Sequence, residues 1–293
     1  MTQPVTGTIY DLGYQRYDGA RHGRAHSIHT LWSFSMRAAF GLDRGEQARR
    51  APILVSVLVF LPALVQVGVA SASGMLNFIS YAGYLEITGL IIALFVASQA
   101  PELIVTDKQN GTLALYLSRP IRASDYALAK LGALASATML LTLGPQMTLF
   151  LARVMLPDSP WAAFKSEWTK LLPILGASLV VSFFFAAVAL ALSSFATRRA
   201  FGSASVIAFF LLTPALSSLT QAIATGAIRR WSVMLNPILV ISGYSRWLFD
   251  VEASRRSSVG RADLPGQSYL WVLLGVSAVA VLVLFSRYRK NET

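Results

Sequence analysis

The sequence predicts an all-α integral membrane protein with six transmembrane helices. Three observations support this fold class: 55% of the 293 residues are hydrophobic, only 13% are charged, and the apolar residues occur in long uninterrupted blocks. A soluble domain carries about 25% charged residues, so half of the expected surface charge is missing. The mean hydropathy of +0.56 agrees with this interpretation. The chain is therefore predicted to be embedded in a membrane.

Six blocks are long enough to cross a bilayer core about 30 Å thick, which takes about 20 helical residues. They predict spans at about 51–70, 81–101, 131–152, 172–197, 200–225 and 265–286. An N-terminal segment, 1–50, and a tail, 287–293, lie outside this domain of residues 51–286. A further uncharged stretch, Trp231–Ser245, has only 15 residues and is interrupted by Asn236-Pro237. It is predicted to be an external re-entrant or interfacial helical segment.

The basic residues lie between the apolar blocks, which indicates membrane topology and no nucleic-acid partner. With the N-terminus inside, the inner segments carry 16 of the 25 Lys and Arg residues and the outer segments carry nine. Basic residues are enriched in cytoplasmic loops. Both termini are therefore predicted to be cytoplasmic.

Residues 28–40 predict an amphipathic helix within the cytoplasmic N-terminal segment. Gly41 supplies a helix-end signal. Apolar and small side chains at helical spacing form one stripe, with polar side chains opposite; the stripe consists of Ile28, Leu31, Trp32, Ser35, Met36, Ala39 and Phe40. Such a helix lies among the lipid head groups. It is either a simple anchor or a collar that docks a cytoplasmic partner.

The sequence predicts no catalytic residues, no metal site and no cofactor bound by this chain itself. It contains no cysteine and no G-x-x-x-x-G-K-[ST] phosphate-binding loop. His22, His26 and His29 would share one face of a helix, but their basic surroundings disfavour a cation. The chain is therefore not predicted to be an enzyme.

The segment from Glu102 to Lys130 predicts a short, half-apolar helix between the second and third spans, on the cytoplasmic side. Gly111 ends the second span, and Pro120 ends the short helix because the residue before a proline avoids helical geometry. The short helix begins at Thr112 and has apolar residues at helical spacing, namely Leu113, Tyr116 and Leu117.

The beginning of the third span carries its own signals. Ser124 is predicted to cap this span, and Asp125 is favourable near the positive end of its helix dipole.

This segment resembles the corresponding loop of ABC-2 type transporter permeases, the transmembrane subunits of bacterial ABC exporters. That loop commonly reads acidic-x-x-G-T-L-x-x-L-L-S-x-P-I-x-R-x-x-Y-x-x-x-K. The matching residues here are Asp107, Gly111, Thr112, Leu113, Ser118, Pro120, Ile121, Tyr126 and Lys130, with Arg122 near the usual basic position.

The resemblance implies that the short helix is a coupling helix in a groove of a cytoplasmic ATPase subunit. It implies two ATPase copies, which bind ATP and Mg, and a second permease chain, identical or paralogous, in a bacterial plasma membrane. The external piece around Asn236-Pro237 would be a re-entrant hairpin. The coupling residues implied are Glu102, Asp107, Gly111, Thr112, Leu113, Tyr116, Leu117, Pro120 and Arg122.

Glu86 is the ionisable residue inside a predicted span, and it has two interpretations. It is either a substrate or gate residue or a hydrated carboxylate near the external end. In the family that the sequence resembles, the second and fifth spans line the transport path. The fifth span offers Ser205, Phe209, Thr213 and Ser217, whose hydroxyls have the alternative role of bonding between helices. We expect a largely apolar route for an amphipathic or lipid-like substrate.

Two other function classes stay open. A membrane scaffold or sensor that recruits cytoplasmic proteins would explain the basic N-terminal segment but not the short apolar helix. An ion-coupled secondary carrier would need internal repeats and buried ionisable groups, and only Glu86 qualifies.

Overall fold

A computed structural model describes residues 23–42, 45–74, 79–112 and 121–289. These ranges are helical and contain no strand. The helices, in chain order, are α1 (Arg24–Ala39), α2 (Glu46–Ser73), α3 (Tyr81–Gln109), α4 (Ala123–Met155), α5 (Pro160–Glu167), α6 (Leu171–Ser193), α7 (Arg199–Ile223), α8 (Gly226–Trp231), α9 (Pro237–Leu248), α10 (Ser258–Ala262) and α11 (Gly266–Arg289).

Six of the described helices are long and apolar enough to cross a membrane: α2, α3, α4, α6 together with the preceding α5, α7 and α11. The predicted fold class is confirmed. Helices α3, α4 and α6 form the buried centre of the bundle, whereas α2, α7 and α11 expose wide apolar faces.

The bundle has two ends, which we name after helices that lie there. The α1 face holds α1, the C-terminal end of α3, the turn between α6 and α7, and the C-terminal end of α11. The α9 face is the opposite end and holds α5, α8, α9 and α10. Arg24 of α1 bonds to the first turn of α4, and Arg153 in the last turn of α4 bonds to Ile79 just before α3. The two faces are thus separated by the length of α4.

Helix α1 begins four residues before the predicted start and packs along α4. Leu31, Ser35, Ala38 and Ala39 are buried, and the indole N–H of Trp32 lies 3.3 Å from the Ser136 hydroxyl. The predicted stripe residues Ile28 and Phe40 also pack against the core, and Met36 is half-buried. Gly41 ends the helix with a left-handed φ of +69°. Protein, in addition to any lipid, therefore covers this side of α1.

Helices α3 and α4 extend well past the predicted spans at the α1 face. Helix α4 begins at Ala123 rather than near 131, with Arg122 as its N-cap residue. The prediction that Ser124 caps this helix is wrong, because Ser124 lies inside the helix, one residue after its start. The Asp125 carboxylate accepts the backbone N–H of the N-cap residue Arg122 at 3.0 Å. Helix α3 continues through Pro101 to Gln109. Both helices thus carry charged turns beyond their apolar blocks.

The stretch predicted to be re-entrant or interfacial, Trp231–Ser245, includes the first nine residues of α9, which continues to Leu248. Asn236 caps this helix by accepting the backbone N–H groups of Ile238 and Leu239 at 3.0 and 3.3 Å, and Pro237 occupies the first helical position, where a missing N–H costs nothing. Helix α9 packs against α3 and α11. Its 12 residues span about 18 Å, too short to cross a bilayer.

Helices α3 and α7 approach each other closely where Gly202 faces Pro101. A Cβ atom added at Gly202 would lie 2.8 Å from the Pro101 Cβ. We expect Gly202→Val to separate the two helices and to lower the free energy of unfolding by about 2 kcal/mol. Gly275→Val in α11 is the matched control, because nothing lies within 4 Å of its added Cβ. Equal unfolding free energies for the two variants in detergent would contradict this packing.

Candidate functional site at the α1 face

The C-terminal end of α3 is the centre of the candidate site. Helix α3 ends at Gln109, followed by Asn110 as its C-cap and by Gly111 in the left-handed region at φ +67°. Glycine adopts this conformation without steric cost. The sequence therefore predicts correctly that Gly111 ends the helix. The last turn presents Asp107, Lys108 and Gln109 to neighbouring elements.

Asp107 joins the chain on either side of residues 113–120. Its Oδ2 accepts the Tyr126 hydroxyl at 2.7 Å and lies 2.8 Å from Lys130 Nζ. Its Oδ1 lies 3.3 Å from the Thr112 hydroxyl. Lys130 is 3% exposed, so this ion pair is shielded from water. One carboxylate thus fastens the end of α3 to the first two turns of α4.

Lys108 and Gln109 connect α3 to the turn between α6 and α7. Lys108 Nζ donates to the Ser194 carbonyl at 2.6 Å, and Gln109 Nε2 donates to the Thr197 carbonyl at 3.0 Å. A cation near the C-terminal end of α6 is favoured by its carbonyls and its dipole. Lys108 also lies 5.5 Å above the ring of Tyr288 in α11. The end of α3 thereby contacts three other spanning helices or their ends.

A second ion pair connects α3 with α7 one turn further into the bundle. Arg199 Nη1 lies 2.8 Å from Glu102 Oε2. Glu102 is mostly buried and Arg199 is half-exposed. Together with the Lys108 and Gln109 contacts, this pair ties the second and fifth spans at the α1 face.

Helix α1 joins the site through Arg24 and Asp125. The guanidinium makes two parallel bonds to the carboxylate, Nε to Oδ2 at 2.8 Å and Nη2 to Oδ1 at 2.6 Å. This fork geometry is specific to arginine. The hydrogen bond and the negative charge of Asp125 raise the pKa of the exposed Arg24 side chain above its usual range. The start of α4 is thus held from both sides, by α1 and by α3.

The structure places the predicted coupling residues in two groups. Glu102, Asp107, Gly111, Thr112 and Arg122 lie in the described chain on either side of residues 113–120. Four others lie outside the described residues, namely Leu113, Tyr116, Leu117 and Pro120. Sequence reasoning missed the roles of Lys108 and Gln109; their place beside Asp107 in the last turn of the helix was the only signal.

The predicted path residues make mostly local contacts. Ser205 and Thr213 donate to carbonyls of their own helix, Gly202 and Phe209. Ser217 is buried and donates to the Ser232 carbonyl at 2.9 Å, which fastens α7 to the turn before α9. Of these three hydroxyls, that of Ser217 bonds between two elements, whereas those of Ser205 and Thr213 bond within their own helix. Phe209 packs edge-on against Phe210 in α7.

Glu86 lies at the α9 face and contacts α9. Its Oε2 accepts the Ser242 hydroxyl at 2.5 Å and lies 3.3 Å from Arg246 Nη2. Both side chains of the ion pair are partly exposed. The structure thus places Glu86 and the α3–α7 contacts of the α1 face at opposite ends of α3.

Glu86→Gln is expected to change stability and transport little. A partly exposed ion pair contributes about 0.5 kcal/mol, and the amide oxygen can still accept the Ser242 hydroxyl. Unfolding in detergent and substrate transport would both be measured, with Arg246→Gln as the matched partner variant. Loss of transport with unchanged stability would restore the gate interpretation of this carboxylate.

Comparison with known proteins decides the family. The model of the ABC-2 family transporter proteins matches residues 18–293. The chain belongs to the ABC-2 transporter family. A probable ABC transporter permease protein, NosY of Pseudomonas aeruginosa, is 27% identical over 247 residues, which cover 76% of this chain and 86% of NosY. This chain is therefore an ABC-2 permease, a multi-pass membrane component of an ABC transporter.

Family membership indicates which kind of partner the contacts around Asp107 face. In an ABC transporter the permease works with an ATPase subunit. Three residues of the permease motif are in physical contact in this protein, because Asp107 contacts both Tyr126 and Lys130. A fourth motif residue, Gly111, ends α3. The motif residues thus lie where the two chain ends of the loop between the second and third spans are held together at Asp107. We call this contact the closed base of the loop.

Proposed function

We propose that this ABC-2 permease is the transmembrane subunit of an ATP-driven exporter and that ATPase subunits dock on its α1 face. The observation that carries the proposal is the position of Asp107, which contacts Thr112 before residues 113–120 and Tyr126 and Lys130 after them. A force applied to this loop therefore reaches α3 and α4 together.

The contacts around α3 supply a route for that force. When the ATPases close on ATP, they push the coupling helix predicted at residues 112–120. Asp107 passes the displacement to the end of α3, and Lys108 and Glu102 pass it to the turn before α7 and to Arg199. A tilt of α3 and α7 then changes the access of the path between them. ATP and Mg are bound by the ATPases, not by this chain.

The assembly that we propose contains two ATPase copies and a second permease chain, in a bacterial plasma membrane with the α1 face and both termini in the cytoplasm. The bias of Lys and Arg toward the segments of the α1 face supports this orientation. Membrane lipids contact the wide apolar faces of α2, α7 and α11. Because α7 carries short hydroxyls among apolar residues, we propose an amphipathic or lipid-like substrate.

Co-purification tests the partner directly. The tagged chain is isolated from its native host in several mild detergents, and a stoichiometric ATPase with a phosphate-binding loop is expected. Replacing Leu113, Tyr116 and Leu117 by serine should release this ATPase. Trp161→Ser on α5 is the control, because this exposed indole lies at the α9 face. Recovery without a nucleotide-binding partner in every detergent would favour the scaffold or carrier instead.

A further inference from the structure

A cavity on the α9 face is lined by three arginines that the proposed export mechanism does not use. It has a volume of about 300 Å³ and lies between the end of α7, α8 and α10. We call Arg229, Arg230 and Arg261 the arginine pocket. Gln221 and Ser258 add polar groups to the walls.

The protein holds part of this pocket in place. Arg230 donates from Nε to the Ala262 carbonyl at 2.9 Å and from Nη2 to the Asp263 carbonyl at 2.7 Å. These bonds join α8 to the end of α10. Val233 and Ala262 also line the cavity and are 1% and 3% exposed. The cavity therefore has an apolar, well-packed side and a cationic side.

No described carboxylate forms an ion pair with the arginines of the pocket. Within the part of the chain that the structure describes, no Asp or Glu oxygen lies within 4.0 Å of a guanidinium nitrogen of Arg229, Arg230 or Arg261; the ion pairs there involve Arg24, Lys130, Arg199 and Arg246. Three like charges around one cavity repel each other. A bound anion would relieve this repulsion, and the planar guanidinium fork matches the oxygens of phosphate groups.

Exposed apolar residues place the pocket near the membrane surface. Ile228 and Trp231 flank the two arginines of α8 and are 67% and 52% exposed. Tryptophan is enriched where bilayers meet water, and α7 enters this region directly from its apolar span. We propose that the arginine pocket binds a phosphate-bearing anion at the membrane surface, supplied either by a lipid head group or by a soluble phosphate compound. This binding does not depend on the direction or the coupling of transport.

The test compares the chain with a variant that loses two pocket charges but keeps the Arg230 bonds. Arg229→Gln/Arg261→Gln is the pocket variant. Arg255→Gln/Arg256→Gln is the control, because it makes the same charge change in the same loop but outside the cavity. Native mass spectrometry of delipidated protein measures binding of phosphatidylglycerol and of diacylglycerol with the same acyl chains, which lacks the phosphate. Inorganic phosphate is tested by thermal unfolding against chloride at equal ionic strength.

Phosphatidylglycerol is expected to bind about a hundredfold more weakly to the pocket variant than to the control, since each of the two lost bonds to a charged group costs about a factor of ten. Diacylglycerol should not distinguish the variants. This result identifies a lipid as the source. If only inorganic phosphate stabilises the chain, and does so through the pocket, the source is soluble. Equal responses of the pocket variant, the control and the unmodified chain to both phosphate probes would overturn the proposal.

Discussion

Lys130→Met is expected to lower the free energy of unfolding by about 3 kcal/mol, the cost typical of breaking a buried ion pair from one side. Lys130 is 3% exposed, and its Nζ lies 2.8 Å from the Asp107 carboxylate. Methionine fills a similar volume but removes the charge. The Asp107 carboxylate then loses its cation, and the donors left to it among the described residues are the hydroxyls of Tyr126 and Thr112.

The double variant Asp107→Asn/Lys130→Met separates charge from packing. It removes both charges, and the asparagine oxygen can still accept the Tyr126 hydroxyl, so it should regain more than half of the lost stability. Arg199→Gln is the control, because its half-exposed ion pair with Glu102 contributes about 1 kcal/mol or less. Unfolding is measured by titrating detergent micelles with SDS. Equal destabilisation by Lys130→Met and Arg199→Gln would contradict the strength of the shielded pair. So would a double variant whose loss of stability equals the sum of the losses caused by Asp107→Asn and Lys130→Met alone.

Gly111→Pro is expected to uncouple ATP hydrolysis from transport while leaving membrane insertion intact. Proline fixes φ near −65°, whereas Gly111 has φ +67°. The substitution also removes the N–H that Gly111 donates to the Lys108 carbonyl at 3.3 Å. The chain must then leave α3 in another direction, and the predicted coupling helix moves relative to Asp107. Transport is expected to fall about tenfold or more, which is the effect of a barrier raised by about 1.4 kcal/mol.

Gly74→Pro is the matched control for this experiment. Gly74 also ends a helix, α2, with φ +70°, and it also donates its N–H to that helix, but it lies at the α9 face. Both variants should lose similar stability, and only Gly111→Pro should uncouple. The reconstituted complex is assayed for ATP hydrolysis and for substrate transport in the same vesicles. Normal transport by the Gly111 variant, or equal uncoupling by both, would refute the role of this loop end.

The six spanning helices could be predicted from the sequence because their apolar blocks are long. The ends of α3 and α4 at the α1 face could not be predicted, because the search for charge-free stretches follows the hydrocarbon layer and helical hydrogen bonding continues beyond it. Helix α4 starts eight residues before its apolar block. Its first two turns carry Asp125 and Lys130, which Arg24 and Asp107 neutralise from other helices. A local sequence pattern cannot predict such ion pairs, because the two partners are distant in the chain.

For the candidate site, the sequence could predict several of the residues but not the contacts between them. Asp107, Tyr126 and Lys130 could be named from a motif, although their mutual contact could not. The roles of Lys108 and Gln109 could not be predicted, because these side chains bond to the backbone carbonyls of Ser194 and Thr197. Every residue has a backbone carbonyl, so the residue type does not identify the acceptor. For Glu86 the sequence left two interpretations, and the ion pair with Arg246 became visible only when α9 was placed beside α3.

The closed base formed by Asp107 has a consequence for protein engineering. Because Thr112, Tyr126 and Lys130 meet at this one carboxylate, the distance between the two chain ends of the loop is set by the helices and not by residues 113–120. The loop can therefore be treated as an exchangeable cassette. Grafting the equivalent segment of another permease between Thr112 and Ile121 should preserve the helical bundle while transferring the choice of ATPase.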